Sequence, residues 1–258
     1  MNTWGQLQLW QGDCLQLMKD LGDGSIDLII ADLPYGITDC HWDHKLDLVN
    51  FWVECNRVIT QRGCIALTSV QPFTTDLIIS NRSMFRYSWV WNKSKGGNMM
   101  SCAYQPYKVH EEILIFSKSG ANRNNTGECM NYYPIMEKMD KKRVGKNYNK
   151  SEAFGSSKLR KGYSKEYSEK YPKSIINISN AKQGGKIHPT QKPVGLMEYL
   201  ITTYTVPGMK VLDPCCGSGV VLEACYKLGR AGIGIEIEDK YCHLIRQRMD
   251  ALTSASGC

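Results

Sequence analysis

The chain has 258 residues, 42% of them apolar, enough for one large domain with a full core or one domain carrying an insert. No window approaches the roughly 18 apolar residues of a membrane span, and the opening Met-Asn-Thr-Trp-Gly lacks a basic-then-apolar leader, so neither a membrane nor a secreted protein is expected. The formal net charge of +7 is local: residues 118–186 hold 16 Lys/Arg against 6 Asp/Glu, and the remainder of the chain sums to −3.

In chain order, short apolar runs predict strands over 6–10, 26–31, 64–68, 85–91, 112–116, 210–212 and 232–236. Most of these runs are too apolar to leave one face in water. Helical spacing predicts helices over 14–20, 46–59, 73–80, 194–204, 220–228 and 239–252, with Pro193 as a first helical residue. The alternation reads as an α/β sheet with helices on its faces, interrupted between about residues 117 and 187. The interrupting block interleaves its basic residues with Tyr132, Tyr133, Tyr148, Tyr163, Tyr167 and Tyr171 and has little apolar periodicity before residue 174. Composition alone leaves two readings open there, a nucleic-acid-binding insert or a solvated loop. The eleven cysteines are scattered, and only Cys215 and Cys216 lie close together, which suits reduced thiols in a cytoplasmic protein rather than a disulfide framework.

Val211-Leu-Asp-Pro-Cys-Cys-Gly-Ser-Gly219 runs from a strand into a glycine-rich turn and then a helix, so a ligand can approach the backbone. Ala231-Gly-Ile-Gly-Ile-Glu236 is a second strand ending in an acid, 19 residues after Gly217, the spacing at which a carboxylate meets ribose hydroxyls. Leu222 stands where a dinucleotide fingerprint needs glycine, which argues against hydride transfer. The pair points to an adenosine-containing cofactor. Nearer the start, Ile26-Asp-Leu-Ile-Ile-Ala-Asp32-Leu-Pro-Tyr-Gly36 delivers an acid, a proline, an aromatic ring and a glycine at the carboxyl end of a buried strand. Asp32 and the carbonyl of Leu33 or Pro34 supply two acceptors for the hydrogens of an exocyclic amine, and Tyr35 can stack on a base taken out of a duplex. A plain turn in which Asp32 only satisfies backbone donors is the alternative.

With Asp32-Leu-Pro-Tyr35, Asp213-Pro-Cys-Cys-Gly-Ser-Gly219 and His188-Pro-Thr-Gln-Lys-Pro193 in one chain, the sequence resembles the S-adenosylmethionine-dependent amino-methyltransferases of DNA. The catalytic motif comes first and the cofactor loop last, with a basic segment between, as in the β class of that family. The resemblance implies a circularly permuted Rossmann-like methyltransferase sheet with a small inserted target-recognition region: a catalytic half over 1–117, the insert over 118–186 and a cofactor-binding half over 187–258. It implies catalytic roles for Asp32, Pro34 and Tyr35. It places S-adenosylmethionine against Asp13 and Cys14, Asp32, Thr190, Gln191 and Lys192, Asp213, Pro214, Cys216, Gly217, Ser218 and Gly219, with Glu236 on the ribose. A helix cap is an equal reading for Thr190 and Gln191. Leu33 stands where the family pattern has proline and Cys215 where it has phenylalanine, and neither change removes a charge or an acceptor.

The implied function is transfer of a methyl group to the N6 amino group of a flipped adenine in double-stranded DNA; Asp32, in place of the serine commoner in cytosine-directed relatives, favours adenine. N4-cytosine methylation, RNA base methylation and a non-catalytic DNA-binding module are the alternatives. Cys40-His41-Trp42-Asp43-His44 matches no zinc spacing, and no metal is expected. Lys108 and His110, just before the strand at 112–116, are candidates to face DNA. The recognition sequence, homodimer formation and a restriction endonuclease partner stay open.

Overall fold

The computed structural model describes residues 1–34, 46–122, 128–145, 165–180 and 191–255. They fall into two compact units, one built from Met1–Tyr133 with Ser174–Cys258 and the other from Pro134–Lys173. The strands in chain order are β1 (Asn2–Trp4), β2 (Leu7–Gln11), β3 (Ile26–Ala31), β4 (Ile59–Ser69), β5 (Phe85–Asn92), β6 (His110–Phe116), β7 (Glu137–Gly145), β8 (Lys165–Lys170), β9 (Ile175–Asn177), β10 (Lys210–Asp213) and β11 (Ala231–Glu236). The helices are α1 (Cys14–Leu17), α2 (Leu48–Val58), α3 (Phe73–Ser80), α4 (Val194–Tyr204), α5 (Val220–Leu228) and α6 (Asp239–Ala255).

In the first unit nine strands form one sheet in the order β1-β2-β11-β10-β3-β4-β6-β5-β9. Strands β2, β11, β10, β3 and β4 are parallel, and β6 lies antiparallel between β4 and β5. Alternation along the strands feeds two cores. Leu28, Ile30, Cys64, Ala66, Ile113 and Val211 pack with residues of α4, α5 and α6 on one face. On the other, Ile29, Ala31, Ile65, Leu67, Leu114 and Leu212 pack with residues of α1, α2 and α3. Burial on both faces is why β3 reads as a continuous apolar run.

Local chemistry sets the element ends. Asp13 caps α1 by accepting from Gln16 N at 3.0 Å, and Asp47 caps α2 by accepting from Val49 N at 2.9 Å. Helix α5 lies between Gly219 and Gly229, both with positive φ (73° and 66°), where a side chain would be strained. Several boundaries differ from the sequence-based expectations. Pro193 is the cap residue before α4 rather than its first helical residue, and the segment at 14–20 divides into α1 and a 3-10 turn over Met18–Asp20. Strand β4 starts five residues earlier than the apolar run, because Ile59 already pairs with Ile26 before a register shift. The edge strand β1 was not predicted; it pairs antiparallel with β2 over three residues.

The second unit holds the antiparallel pair β7 and β8. Their residues are mostly charged and exposed, so no apolar alternation announced them. Lys142 with Glu166 at 3.2 Å and Lys170 with Glu137 at 3.0 Å tie the two strands across the ladder.

Tyr204, at the end of α4 and fully buried, accepts from Trp89 Nε1 at 2.7 Å and shares a hydrogen bond with the Tyr87 hydroxyl at 3.1 Å. Tyr204→Phe leaves the buried indole N–H without its acceptor and is expected to cost ~1–3 kcal/mol in urea denaturation, with far-UV circular dichroism unchanged. An unchanged midpoint would show that the indole finds another acceptor.

Candidate active site

From β3 the chain moves to β4 on one side, and from β10 it moves to β11 on the other. The loops after β3 and β10 therefore diverge, and the crevice between them, at the carboxyl edge, is where open α/β sheets bind ligands. A cavity of about 880 Å³ opens there, lined from Asp13 and Cys14 through Glu236 and the 213–218 loop to Asp32 and Lys93.

Glu236 closes β11 with both carboxylate oxygens fixed: Oε2 accepts from Gly217 N at 2.7 Å and Oε1 from Glu238 N at 2.8 Å. Burial raises its pKa above the usual carboxylate range, and these backbone donors pull part of that back. Asp213, at the end of β10, is buried deeper; burial pushes it well above the ordinary range, against a hydrogen bond from Cys215 N at 3.2 Å. The Cys14 thiol is drawn below its usual range by its hydrogen bond with Cys215, whose own thiol is pushed well up. Gly217 has φ 49° and Gly219 φ 73°. A Cβ on Gly219 would lie 3.0 Å from two carbons of Ile245, so this glycine serves the packing of α5 against α6.

Asp32 follows β3 directly. Its Oδ1 accepts from the Thr68 hydroxyl on β4, and its Oδ2 pairs with Lys192 Nζ at 2.6 Å. Lys192 also reaches Glu111 Oε2 at 3.5 Å, and Glu111 Oε1 pairs with Lys93 Nζ at 2.9 Å. The result is an alternating line of charge, Asp32, Lys192, Glu111, Lys93, drawn from four separate segments. Burial works against the Lys192 ammonium, but Asp32 and Glu111 outweigh it and hold its pKa above the usual lysine range.

The cavity suits S-adenosylmethionine on chemistry as well as size. Its lining carries more carboxylates than lysines, an environment for a ligand bearing a sulfonium and an ammonium. Glu236 presents a carboxylate beside glycine backbone, as hydrogen bonding to ribose hydroxyls requires.

Of the residues singled out in the sequence, Asp13, Cys14, Asp32 and Pro34 line this cavity, as do Gln191, Lys192, Asp213, Pro214, Cys216, Gly217, Ser218 and Glu236. Gly219 does not line it. Tyr35 and Thr190 lie outside the described residues, as do Cys40 to His44 and His188. Lys192 lines the cavity with its ammonium paired to Asp32. Thr68, Lys93 and Glu111 were missed. Each stands at the carboxyl edge of the sheet beside an apolar run, but only the order β3-β4-β6-β5 brings them to Asp32.

The family model N6_N4_Mtase, described as DNA methylase, matches residues 26–247. The chain is 28% identical over 255 residues to the type II methyltransferase M.HpaI of Haemophilus parainfluenzae, covering 93% of this chain and 73% of that one. It is 28% identical over 262 residues to the DNA adenine methyltransferase YhdJ of Escherichia coli (strain K12), covering 95% and 83%. Among solved structures, the M1.HpyAVI–SAM complex superposes with a TM-score of 0.60 at 23% identity, covering 94% of this chain and 99% of that chain. The PvuII DNA methyltransferase, cytosine-N4-specific, superposes with a TM-score of 0.66 at 14% identity, covering 98% and 95%. At these identities the structural likeness speaks for the fold. The family match runs from β3 across the sheet into α6, and the chain belongs to the N6/N4 DNA methylases, the S-adenosylmethionine-dependent amino-methyltransferases of DNA.

Proposed function

We propose that this protein methylates the N6 amino group of adenine in double-stranded DNA, with the target base rotated out of the helix. The observation that carries this reading is the Asp32 carboxylate, set by Thr68 and Lys192 at the strand switch point and facing the same cavity as Glu236. Bound S-adenosylmethionine supplies an electrophilic methyl group on a sulfonium.

Within this reading, Glu236 accepts from the ribose hydroxyls and Gly217 and Ser218 let the ligand lie against the backbone of the loop. Asp32 and the carbonyl of Leu33 or Pro34 accept the two hydrogens of the target amine. Its nitrogen lone pair is thereby turned out of conjugation and toward the methyl carbon. Transfer would form the N–C bond as the S–C bond breaks and its electron pair stays on sulfur as a neutral thioether, with no covalent link to the protein, and the methylated nitrogen would pass one proton to water. Tyr35 stacks on the extruded base. Rate enhancement rests on orientation and on polarisation of the amine. Lys192 keeps the Asp32 carboxylate in place, and its second anchor on Glu111 lets the ammonium draw aside as the amine arrives. The name of YhdJ, a DNA adenine methyltransferase, and the acid at position 32 support adenine over cytosine.

Mass spectrometry of nucleosides from DNA incubated with the protein and methyl-labelled cofactor tests the assignment; N6-methyladenine is expected. N4-methylcytosine overturns the base assignment, and label in RNA alone overturns the substrate. Asp32→Ala is expected to lose about 100- to 1,000-fold in methyl transfer while binding the cofactor as before; retained turnover would remove Asp32 from the chemistry. Lys192→Met is expected to lower kcat about 10-fold or more, with the cofactor Kd within a factor of about three. A change in Kd alone would make Lys192 a cofactor ligand instead.

Glu236 also sets a pH dependence. Its raised pKa means the accepting carboxylate is lost as pH falls, starting above the ordinary carboxylate range. Cofactor affinity, measured by calorimetry, is expected to decline over that window. Glu236→Gln is expected to bind about 10-fold more weakly at neutral pH and to show a shallower decline, Asp213 being a second acid of the cavity with a raised pKa.

A further inference from the structure

The excursion between β5 and β6 has an architecture that folding does not explain. It leaves the carboxyl edge of the sheet at Lys93 and returns at Val109, closed by a hydrogen bond from Lys93 N to Val109 O at 2.8 Å. Its shape is fixed from within. The Asn98 side chain donates to Pro106 O at 3.1 Å and accepts from Lys108 N at 2.8 Å, and the Tyr107 hydroxyl donates to Gly96 O at 3.0 Å. Gly96 packs against the Lys108 carbonyl so closely that a Cβ there would also lie 2.8 Å from the Tyr107 ring. A single turn over Met99–Ser101 forms the tip.

What this braced loop presents is apolar. Met100 is 98% exposed, Tyr104 92% and Met99 72%. Lone exposed hydrophobic residues are ordinary, but three within six positions on an internally bonded loop mark a contact surface. The loop's own charge has one sign. Lys95 and Lys108 are exposed, and no acid occurs from residue 93 to 110. The loop also adjoins the cavity, since Lys93 and Gly97 line it. A basic, apolar-tipped loop at the mouth of a site that takes a base from a helix fits one partner, the duplex around the vacated position.

We propose that the 93–109 loop is a wedge for duplex DNA: Met100 enters the stack at the place the target base leaves, Tyr104 stacks against an exposed neighbouring base, and Lys95 and Lys108 contact flanking phosphates. Apolar side chains are what proteins insert between base steps, and filling the gap offsets part of the unstacking cost. The thioether of Met100 is flexible and polarisable enough to suit different neighbouring bases. This proposal rests on the base-flipping reading above and adds a second DNA-contacting segment to the basic block.

The test compares two duplexes carrying the target, located by sequencing methylated DNA: one fully paired, the other with an abasic site opposite the target, so that the base is already unpaired. The double variant Met100→Ala/Tyr104→Ala is expected to lose about 10- to 100-fold in kcat/KM on the paired duplex and no more than about threefold on the abasic one. Met100→Leu, which keeps an apolar wedge, is expected to stay within about threefold of the wild type on both. Lys95→Ala/Lys108→Ala is expected to lose equally on both duplexes and to flatten the salt dependence. Melting temperature and cofactor Kd serve as folding controls, since none of these side chains enters the core. Full activity of the double variant on paired DNA, or an equal loss on both duplexes, overturns the wedge. Wild-type protein that methylates neither duplex overturns the base-flipping reading and the wedge with it.

Discussion

The parallel pairing of β10 with β3 is the constraint on which the site depends. Val211 sits opposite Leu28 and Leu212 opposite Ile29, and Lys210 N donates to the Asp27 side chain at 3.0 Å. This short ladder joins segments more than 180 positions apart and sets the end of the cofactor strand beside the end of the strand that carries Asp32. Its side chains enter both cores, Val211 and Leu28 on one face and Leu212 and Ile29 on the other. Packing on two faces holds a register that two residue pairs alone would hold weakly. A slip of one residue would turn Asp213 and Asp32 away from each other and empty the crevice of its chemistry.

On that frame the electrostatics are arranged in opposition. Along the glycine loop, Asp213 and Glu236 are buried acids whose pKa values rise because burial outweighs their backbone donors. Around Asp32, charge is compensated instead: Lys192 and Lys93 alternate with Asp32 and Glu111 at hydrogen-bonding or near-hydrogen-bonding distance. Buried ion pairs contribute little net stability once desolvation is counted, so such a line is better read as a device for geometry than for folding. It leaves one end of the cavity with two buried acids held by backbone donors and the other with a fixed, directional acceptor.

Much of this was legible in the chain. The apolar runs at 26–31 and 210–212 are each followed by an acid and a turn, and the 19-residue step from Gly217 to Glu236 corresponds in the structure to a hydrogen bond from Gly217 N to the Glu236 carboxylate. What could not be read was lateral order. Thr68, Lys93 and Glu111 each look like an ordinary polar residue at a strand end, and their convergence depends on β6 lying antiparallel between β4 and β5. The β7 and β8 pair was hidden for another reason, since its strands are held across the ladder by lysine–glutamate pairs and carry no apolar face to leave a period.

The strand order also bears on how the chain reaches its fold. Strands β2 and β3 are made early yet are not neighbours; β11 and β10, made last, fill the space between them. Until those late strands emerge during translation, β2 and β3 each offer an unpaired edge, and unpaired edges recruit other chains. An amino-terminal segment without β10 and β11 therefore lacks the centre of the sheet, and those strands enter it by insertion between two others rather than by addition at an edge. The strands that complete the sheet also end in Asp213 and Glu236 of the cavity, so a chain without them has neither a closed core nor a place to bind its methyl donor.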